Sequence, residues 1–151
     1  MRTYLVVIDE TPEARVALRF ASRRAVKTHG DVLVVAMVPR PDFVQWGGVQ
    51  AAMEAEALER AEALLTDVTG ELMSDQGLQP EILVRKGEPA SAVRQILDDY
   101  PAVCALVLGA APTGKPGPLV SHFTGADAGQ LRCPVMIIPG SLDDHALDEL
   151  S

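Results

Sequence analysis

Residues 4–25 read YLVVIDETPEARVALRFASRRA and combine a short apolar run with a segment of helical periodicity. The run YLVVI, at residues 4–8, is typical of a strand that is buried on both faces of a sheet. The pair Thr11-Pro12 that follows is typical of the first residues of a helix. Beyond it, small and apolar side chains recur every three or four residues, at Ala14, Ala17, Leu18, Ala21 and Ala25. The stretch therefore predicts a buried strand followed directly by an amphipathic helix.

The same alternation of strand and helix continues along the chain. Four further apolar runs predict strands, at residues 32–38, 81–84, 103–108 and 135–138. Helical segments separate them, at residues 49–77, 88–100 and around 121–131, the last weakened by Gly125 and Gly129. Alternating elements of this kind favour parallel strands joined by right-handed crossovers. We therefore expect an α/β fold with a single open, parallel, five-stranded sheet and helices on both faces.

Composition narrows the class of protein. The 151 residues are 48% hydrophobic and 23% charged, which predicts one soluble globular domain, assigned here to residues 1–140. Residues 141–151 are acidic and are expected to form a mobile tail. The net charge of −8 repels nucleic-acid backbones and anionic membrane surfaces, so neither is expected as a partner.

The two cysteines and the first residues bear on the cellular compartment. Cys104 and Cys133 each lie beside or within an apolar run, without a C-x-x-C motif, which favours two buried thiols in a reducing compartment. The N-terminal residues lack the features of a secretory signal, and no run approaches the length of a membrane span. We expect a cytoplasmic protein.

Two strand ends carry the residues that suggest a ligand site. The first strand ends at Asp9, and the fourth ends at Leu108 and Gly109, before a loop rich in glycine and proline. In open α/β sheets, ligands bind at the carboxyl ends of the strands where the winding direction reverses. If these two strands are neighbours at that point, Asp9 and the loop share one cleft.

The loop begins like a nucleotide-binding P-loop but departs from it. Gly109 to Lys115 fits Gly-x-x-x-x-Gly-Lys, yet Pro116 stands where a P-loop has Ser or Thr for magnesium, and no helix start follows directly. Two interpretations remain open. Either a modified loop holds phosphate through Gly114, Lys115, Ser121, His122 and Thr124, or the prolines form a stiff connection without a ligand.

Four stretches in order carry a resemblance to a known family. They are YLVVIDETPEARVALRFASRRA, KGEPASAVRQIL, ALVLGA and CPVMIIP, and together they resemble the universal stress protein family over nearly the whole chain. The resemblance implies an adenine nucleotide alpha hydrolase-like, Rossmann-like sheet of order 3-2-1-4-5. It also implies a cytoplasmic, usually dimeric protein tied to stress survival and regulation, some of whose relatives bind ATP.

The nucleotide motif of this family is degenerate here. Relatives that bind ATP carry Gly-x-x-Gly, nine residues, then Gly-Ser or Gly-Thr, whereas this chain has Pro112 at the second glycine and Ser121-His122 at the end. An offset alignment, Gly114 to Gly117 with Gly125-Ala126, also misses the spacing and the hydroxyl. The resemblance still implies weakened binding of ATP with Mg²⁺ at a site formed by Asp9, Val38, Leu108, Gly109, Gly114, Lys115, Ser121, His122 and Phe123.

Several of these residues also have purely structural interpretations. Asp9 could approach a nucleotide or cap the first helix, and His122 could contact phosphate or stand at a helix start. Phe43, Val44 and Trp46 could cover an adenine or fill a groove. No pair of residues suits general acid–base or nucleophilic catalysis, so an enzyme ranks below a nucleotide-sensing domain and a nucleotide-free interaction module.

The fifth strand suggests how two copies would associate. The resemblance places it at an edge of the sheet, where Val135, Met136, Ile137 and Ile138 carry no charge to prevent pairing. Pro134 and Pro139 bracket this run and limit it to about four pairable residues. We expect a homodimer joined through this strand, with a covering loop as the alternative.

Overall fold

The computed structural model describes residues 2–38 and 47–151. Five strands and five α-helices alternate, with a single 3₁₀ turn at Ala128–Gln130. The strands are β1 (Thr3–Ile8), β2 (Asp31–Val38), β3 (Glu81–Lys86), β4 (Val103–Ala110) and β5 (Val135–Pro139). The helices are α1 (Pro12–Thr28), α2 (Gly47–Gln76), α3 (Pro89–Asp99), α4 (Pro118–Phe123) and α5 (Asp144–Leu150). Phe43, Val44 and Trp46 lie outside the described residues.

The strands form one parallel sheet of order β3-β2-β1-β4-β5, which confirms the expected architecture. β1 lies in the middle, so that Val6 is level with Val34 of β2 on one side and Val107 of β4 on the other. The chain winds outward from β1 to β3 and then returns to the opposite side for β4 and β5. The winding direction therefore reverses between β1 and β4.

Two layers of buried side chains hold helices on both faces of the sheet. On one face, alternate residues of the central strands pack against α1, α2 and α5, with Leu18, Leu65 and Leu147 among the contacts. On the other face, the intervening residues pack against α3 and α4, through Ile96 and Phe123. The stripe predicted for the first helix, Ala14, Ala17, Leu18, Ala21 and Ala25, is buried throughout.

The fourth helix begins earlier and is shorter than the sequence predicts. It starts at Pro118, whose fixed φ suits the first helical position, and it ends at Phe123, just before Gly125. The remainder of the predicted segment contains only the 3₁₀ turn. Ser121 and His122 consequently lie inside the helix rather than at its start.

Residues 141–151, expected to be a mobile tail, contain the helix α5. Asp143 caps α5 by accepting a hydrogen bond from the Ala146 amide at 2.8 Å, and Leu147 is buried against the core. The acidic residues that suggested mobility instead face cationic side chains of α1. Charge complementarity between two helices therefore orders this segment.

Among the described residues, no helix combines the length and apolar character that crossing a membrane requires.

Candidate functional site

A cleft opens where the carboxyl ends of β1 and β4 meet, which is the point at which the winding reverses. It encloses about 130 Å³, and we call it the β1–β4 cleft. Its walls come from the end of each strand, the first turn of α1, and the segment leading into α4. They are formed by Val7, Asp9, Thr11, Glu13, Ala14, Leu108, Gly109, Pro116, Gly117, Pro118, Leu119 and Val120. Asp9 and the loop after β4 therefore line the same cleft, as the sequence predicts.

Asp9 organises the start of α1. Its Oδ1 atom accepts hydrogen bonds from the backbone amide of Thr11, at 2.8 Å, and from the Thr11 hydroxyl. The Thr11 hydroxyl oxygen in turn accepts from the Ala14 amide at 3.4 Å, so Thr11 is the N-cap and Asp9 orients it. Hydrogen bonds from the described residues use only Oδ1, and the carboxylate is exposed at the cleft. The structural role of Asp9 is therefore compatible with a second role toward a ligand.

A second cavity lies on the other side of Asp9, and we call it the β1–β2 pocket. It encloses about 260 Å³ between the ends of β1 and β2 and the face of α2. The lining is mostly apolar, with one base and two acids: Ile8, Asp9, Glu10, Ala36, Met37, Ala57, Arg60, Ala61 and Leu64. Asp9 borders both cavities. The α2 residues could not be selected from the sequence, because their periodicity is that of any helix packed on a sheet.

The loop after β4 is folded back on itself. The Ala111 amide donates to the Pro116 carbonyl at 3.0 Å, and Gly114 stands at the turn with φ of +73°. Gly117, with φ of +123°, then leads into α4. A P-loop is excluded, because Pro116 and Gly117 separate Lys115 from the start of α4, and Lys115 is exposed and outside the cleft walls.

The β1–β4 cleft is poorly suited to phosphate by itself. The acidic residues Asp9 and Glu13 line it, and Pro116 and Pro118 provide no amide hydrogens. Lys115 lies outside the cleft walls. A bare triphosphate would therefore meet negative charge with few hydrogen-bond donors.

Gly109 is a glycine for reasons of packing. A Cβ atom built at this position would lie 2.0 Å from the Glu13 carbonyl oxygen, so any side chain would collide with the backbone of α1. The close approach of α1 to β4 therefore requires glycine here, whether or not a ligand binds.

The remaining predicted site residues lie away from the two cavities. Val38 and Phe123 are buried in the two core layers, and Ser121 is exposed on α4. His122 Nε2 lies 2.8 Å from the Asp127 carboxylate, which also receives Arg94 at 2.5 Å. This cluster joins α3 to the segment after α4 and faces neither cavity.

Comparison with known proteins supports the architecture. The sequence profile described as the Universal stress protein family matches residues 1–139. The chain belongs to the universal stress protein family. No curated protein sequence matches it significantly. Among solved structures, universal stress protein UspA from Lactobacillus plantarum is 15% identical, with a TM-score of 0.76 over 91% of this chain and 97% of that one.

Two other universal stress protein structures of this fold are described with adenine nucleotides. The protein from Archaeoglobus fulgidus in complex with dAMP is 18% identical, with a TM-score of 0.64 over 91% of this chain and 98% of that one. The protein from Arabidopsis thaliana with AMP bound is 16% identical, with a TM-score of 0.62 over 92% of each chain. At such identities the likeness establishes the fold and no ligand.

Metal ligands are sparse at the site. Within residues 2–38 and 47–151, no three His, Cys, Asp or Glu side chains are grouped closely enough to hold a metal ion. A cation that arrives with phosphates needs only one or two carboxylates from the protein.

Proposed function

We propose that this chain is a cytoplasmic regulatory protein of the universal stress type that binds an adenine nucleotide across Asp9, with weakened affinity for ATP. The observation that carries the proposal is that Asp9 borders both cavities at the reversal point of the sheet. The two cysteines within the described part of the chain are free thiols, which supports a reducing compartment.

The two cavities suit different parts of a nucleotide. Neither reaches the roughly 300–1,000 Å³ of ordinary ligand pockets, but they adjoin at Asp9, so one ligand could use both. The β1–β2 pocket offers the apolar walls of Ala36, Met37 and Leu64 to a base. The β1–β4 cleft would receive the ribose and the first phosphate.

The number of phosphates should affect affinity because of the acids in the cleft. Each added phosphate brings negative charge toward Asp9 and Glu13. A Mg²⁺ ion carried by ATP would take these two carboxylates as protein ligands and would offset their charge. We therefore propose that AMP binds without magnesium, whereas ATP requires it.

Calorimetric titration with AMP and ATP, each with and without Mg²⁺, tests the proposal. AMP binding that is indifferent to Mg²⁺ and ATP binding that needs it would support it. Asp9→Asn should lessen the dependence of ATP binding on Mg²⁺, because the cleft loses one negative charge while the side chain keeps a similar shape. Asp31→Asn, at the opposite end of the sheet, is the matched control. Absence of binding for every nucleotide would refute the proposal.

A second candidate function is a nucleotide-free dimeric interaction module. The proline-containing loop is already closed by its own hydrogen bond from Ala111 to Pro116, as expected of a connection that needs no ligand. Mass spectrometry of the denatured purified protein shows whether a nucleotide is retained through purification. Together with the titrations, this measurement distinguishes the two candidate functions.

We also propose that two copies pair through β5. This strand is an edge of the sheet, and Val135, Met136 and Ile137 are only half-buried in the single chain. Unpaired edge strands of apolar composition favour association with another strand. Twofold antiparallel pairing of β5 would cover this row.

A further inference from the structure

A row of cationic side chains runs along α1. Arg15, Arg19, Arg23 and Lys27 are spaced four residues apart, which places them on one side of the helix. Arg15 pairs with Glu71 of α2 at 2.6 Å. The other three face α5, and we call them the basic row.

The acids of α5 lie against this basic row. Arg19 reaches Asp144 at 3.3 Å and Asp148 at 3.2 Å, and Arg23 lies 2.9 Å from Asp148. Lys27 donates to the backbone carbonyls of Asp148, at 2.6 Å, and Ser151, at 3.0 Å, at the end of α5. Each of these contacts involves a positive charge on α1.

These contacts combine charge with hydrogen bonds, of which Arg19 donates one to Asp148 Oδ2 and Lys27 donates two to backbone carbonyls. The Nε atoms of Arg19 and Arg23 and Oδ1 of Asp148 are shielded from water, and within the described part of the chain they have no hydrogen bond of good geometry, although Arg23 and Asp148 are close. The side chains of Arg19, Arg23 and Asp148 remain 26–37% exposed. Ion pairs of this kind are weakened by dissolved salt.

The apolar attachment of α5 is small. Leu147 is its one buried residue, at 1% exposure, whereas Leu150 is 62% exposed. A helix of seven residues is not stable in water without packing. The family profile ends at residue 139, so α5 lies outside the matched region. The strand pairing of the sheet does not involve α5.

We propose that α5 is a latch, held on the basic row mainly by charge, that opens as ionic strength rises. Asp144 and Leu147 form part of the wall of a cavity of about 200 Å³ between α1, α2 and α5. Opening removes that wall and presents Arg19, Arg23 and Lys27 to solvent. A rise in salt concentration thereby exposes a cationic surface on α1.

Hydrogen exchange of the full chain, measured by mass spectrometry at 50 mM and 1 M KCl, tests the latch. The Debye length falls from above about 10 Å to about 3 Å over this range, so exchange of residues 144–151 should rise about ten-fold. Exchange in α3, whose buried residues belong to the other face of the sheet, should stay unchanged. Sucrose at matched osmolarity should leave α5 closed.

Two variants on α5 sharpen the test. Asp148→Asn removes the charge that Arg19 and Arg23 share and should raise exchange of α5 at 50 mM KCl to near its high-salt value. Glu149→Gln, whose side chain pairs with His145 on the same helix, should behave like the wild type. Salt-independent exchange of α5, equal rises in α5 and α3, or identical behaviour of both variants would overturn the proposal.

Discussion

Gly109 of β4 lies directly beneath the backbone carbonyl of Glu13 in α1, where a Cβ atom would approach the oxygen to 2.0 Å. Backbone cannot move aside as a flexible side chain can, so the helix would have to lift from the sheet. The glycine that most resembles a phosphate-binding residue in the sequence is therefore required by the packing of the first helix.

The first prediction follows from this contact. Gly109→Ala should lower the free energy of unfolding by about 3 kcal/mol, because overpacking displaces α1. Gly114→Ala is the matched control, since no atom of residues 2–38 or 47–151 lies within 4 Å of the added Cβ and its φ of +73° is what opposes a side chain. It should cost about 1 kcal/mol. Urea unfolding measures both, and equal costs would show that α1 adapts.

Nucleotide affinity gives the second prediction. The dissociation constant for ATP with Mg²⁺ should be above about 10 μM, because the cleft lacks several phosphate hydrogen bonds, each worth about 1.5–3 kcal/mol. Lys115→Met should change it less than two-fold, since Lys115 does not line the cleft. Submicromolar binding that collapses in Lys115→Met would mean that the loop rearranges around the ligand.

The two edges of the sheet allow a controlled test of the proposed dimer. Ile137→Lys in β5 should shift the protein toward monomer at low micromolar concentration, because two like charges would lie close together on one face of the paired strands. Ile82→Lys is the control, placed on the opposite edge strand β3, where Ile82 is 47% exposed. Light scattering after gel filtration measures both. A wild-type monomer, or dissociation by Ile82→Lys alone, would contradict pairing through β5.

Arg132 supports a fourth prediction. Its guanidinium donates to the carbonyl of Leu97 at 2.6 Å and to those of Tyr100 and Val103 at 3.2 and 3.0 Å, which caps the end of α3. Arg132→Ala should lower the free energy of unfolding by about 2 kcal/mol. Arg94→Ala, which removes a partly exposed ion pair with Asp127, should cost about 0.5 kcal/mol or less. A smaller loss for Arg132→Ala would contradict the capping role.

The fifth prediction concerns acid. Hydrogen bonds from the Ser91 hydroxyl and from the backbone amides of Ser91 and Ala90 lower the pKa of Glu88, the N-cap of α3. Because the folded-state pKa lies below the unfolded one, this cap stabilises the fold above the unfolded value, and the contribution is lost as pH falls through the folded value. Thermal unfolding at several pH values should show Glu88→Gln less stable than the wild type at neutral pH. The difference should shrink in acid, and a gap that persists there would contradict the assignment.

The strands were predictable because each contains a continuous apolar run, and the longest burial runs are in the inner strands β1, β2 and β4, which are covered on both faces. The order of the strands came from the family resemblance, since local sequence does not say which strands are neighbours. The bounds of α4 were harder to predict. A proline in its first turn and a glycine after its last turn decide them, whereas the apolar pattern there is weak.

The site was only partly predictable. Asp9 and Gly109 lie at strand ends, and topology brings them together, so the sequence indicated their meeting. Arg60 and Leu64 of the β1–β2 pocket could not be selected, since α2 reaches the strand ends through tertiary packing alone. The ion pairs of residues 141–151 could not be predicted from their acidic character, because their cationic partners lie more than a hundred positions earlier in the chain.

The central position of β1 has a consequence for synthesis on the ribosome. Thr3 pairs with Val103, so one side of the first strand made must wait for nearly the whole sheet to be translated. At about 5–20 residues per second, the interval is roughly 5–20 s. During this interval one edge of β1 is unpaired, and its apolar residues Leu5 and Val6 lie on opposite faces of the strand. We expect the nascent chain to engage a ribosome-associated chaperone until β4 emerges.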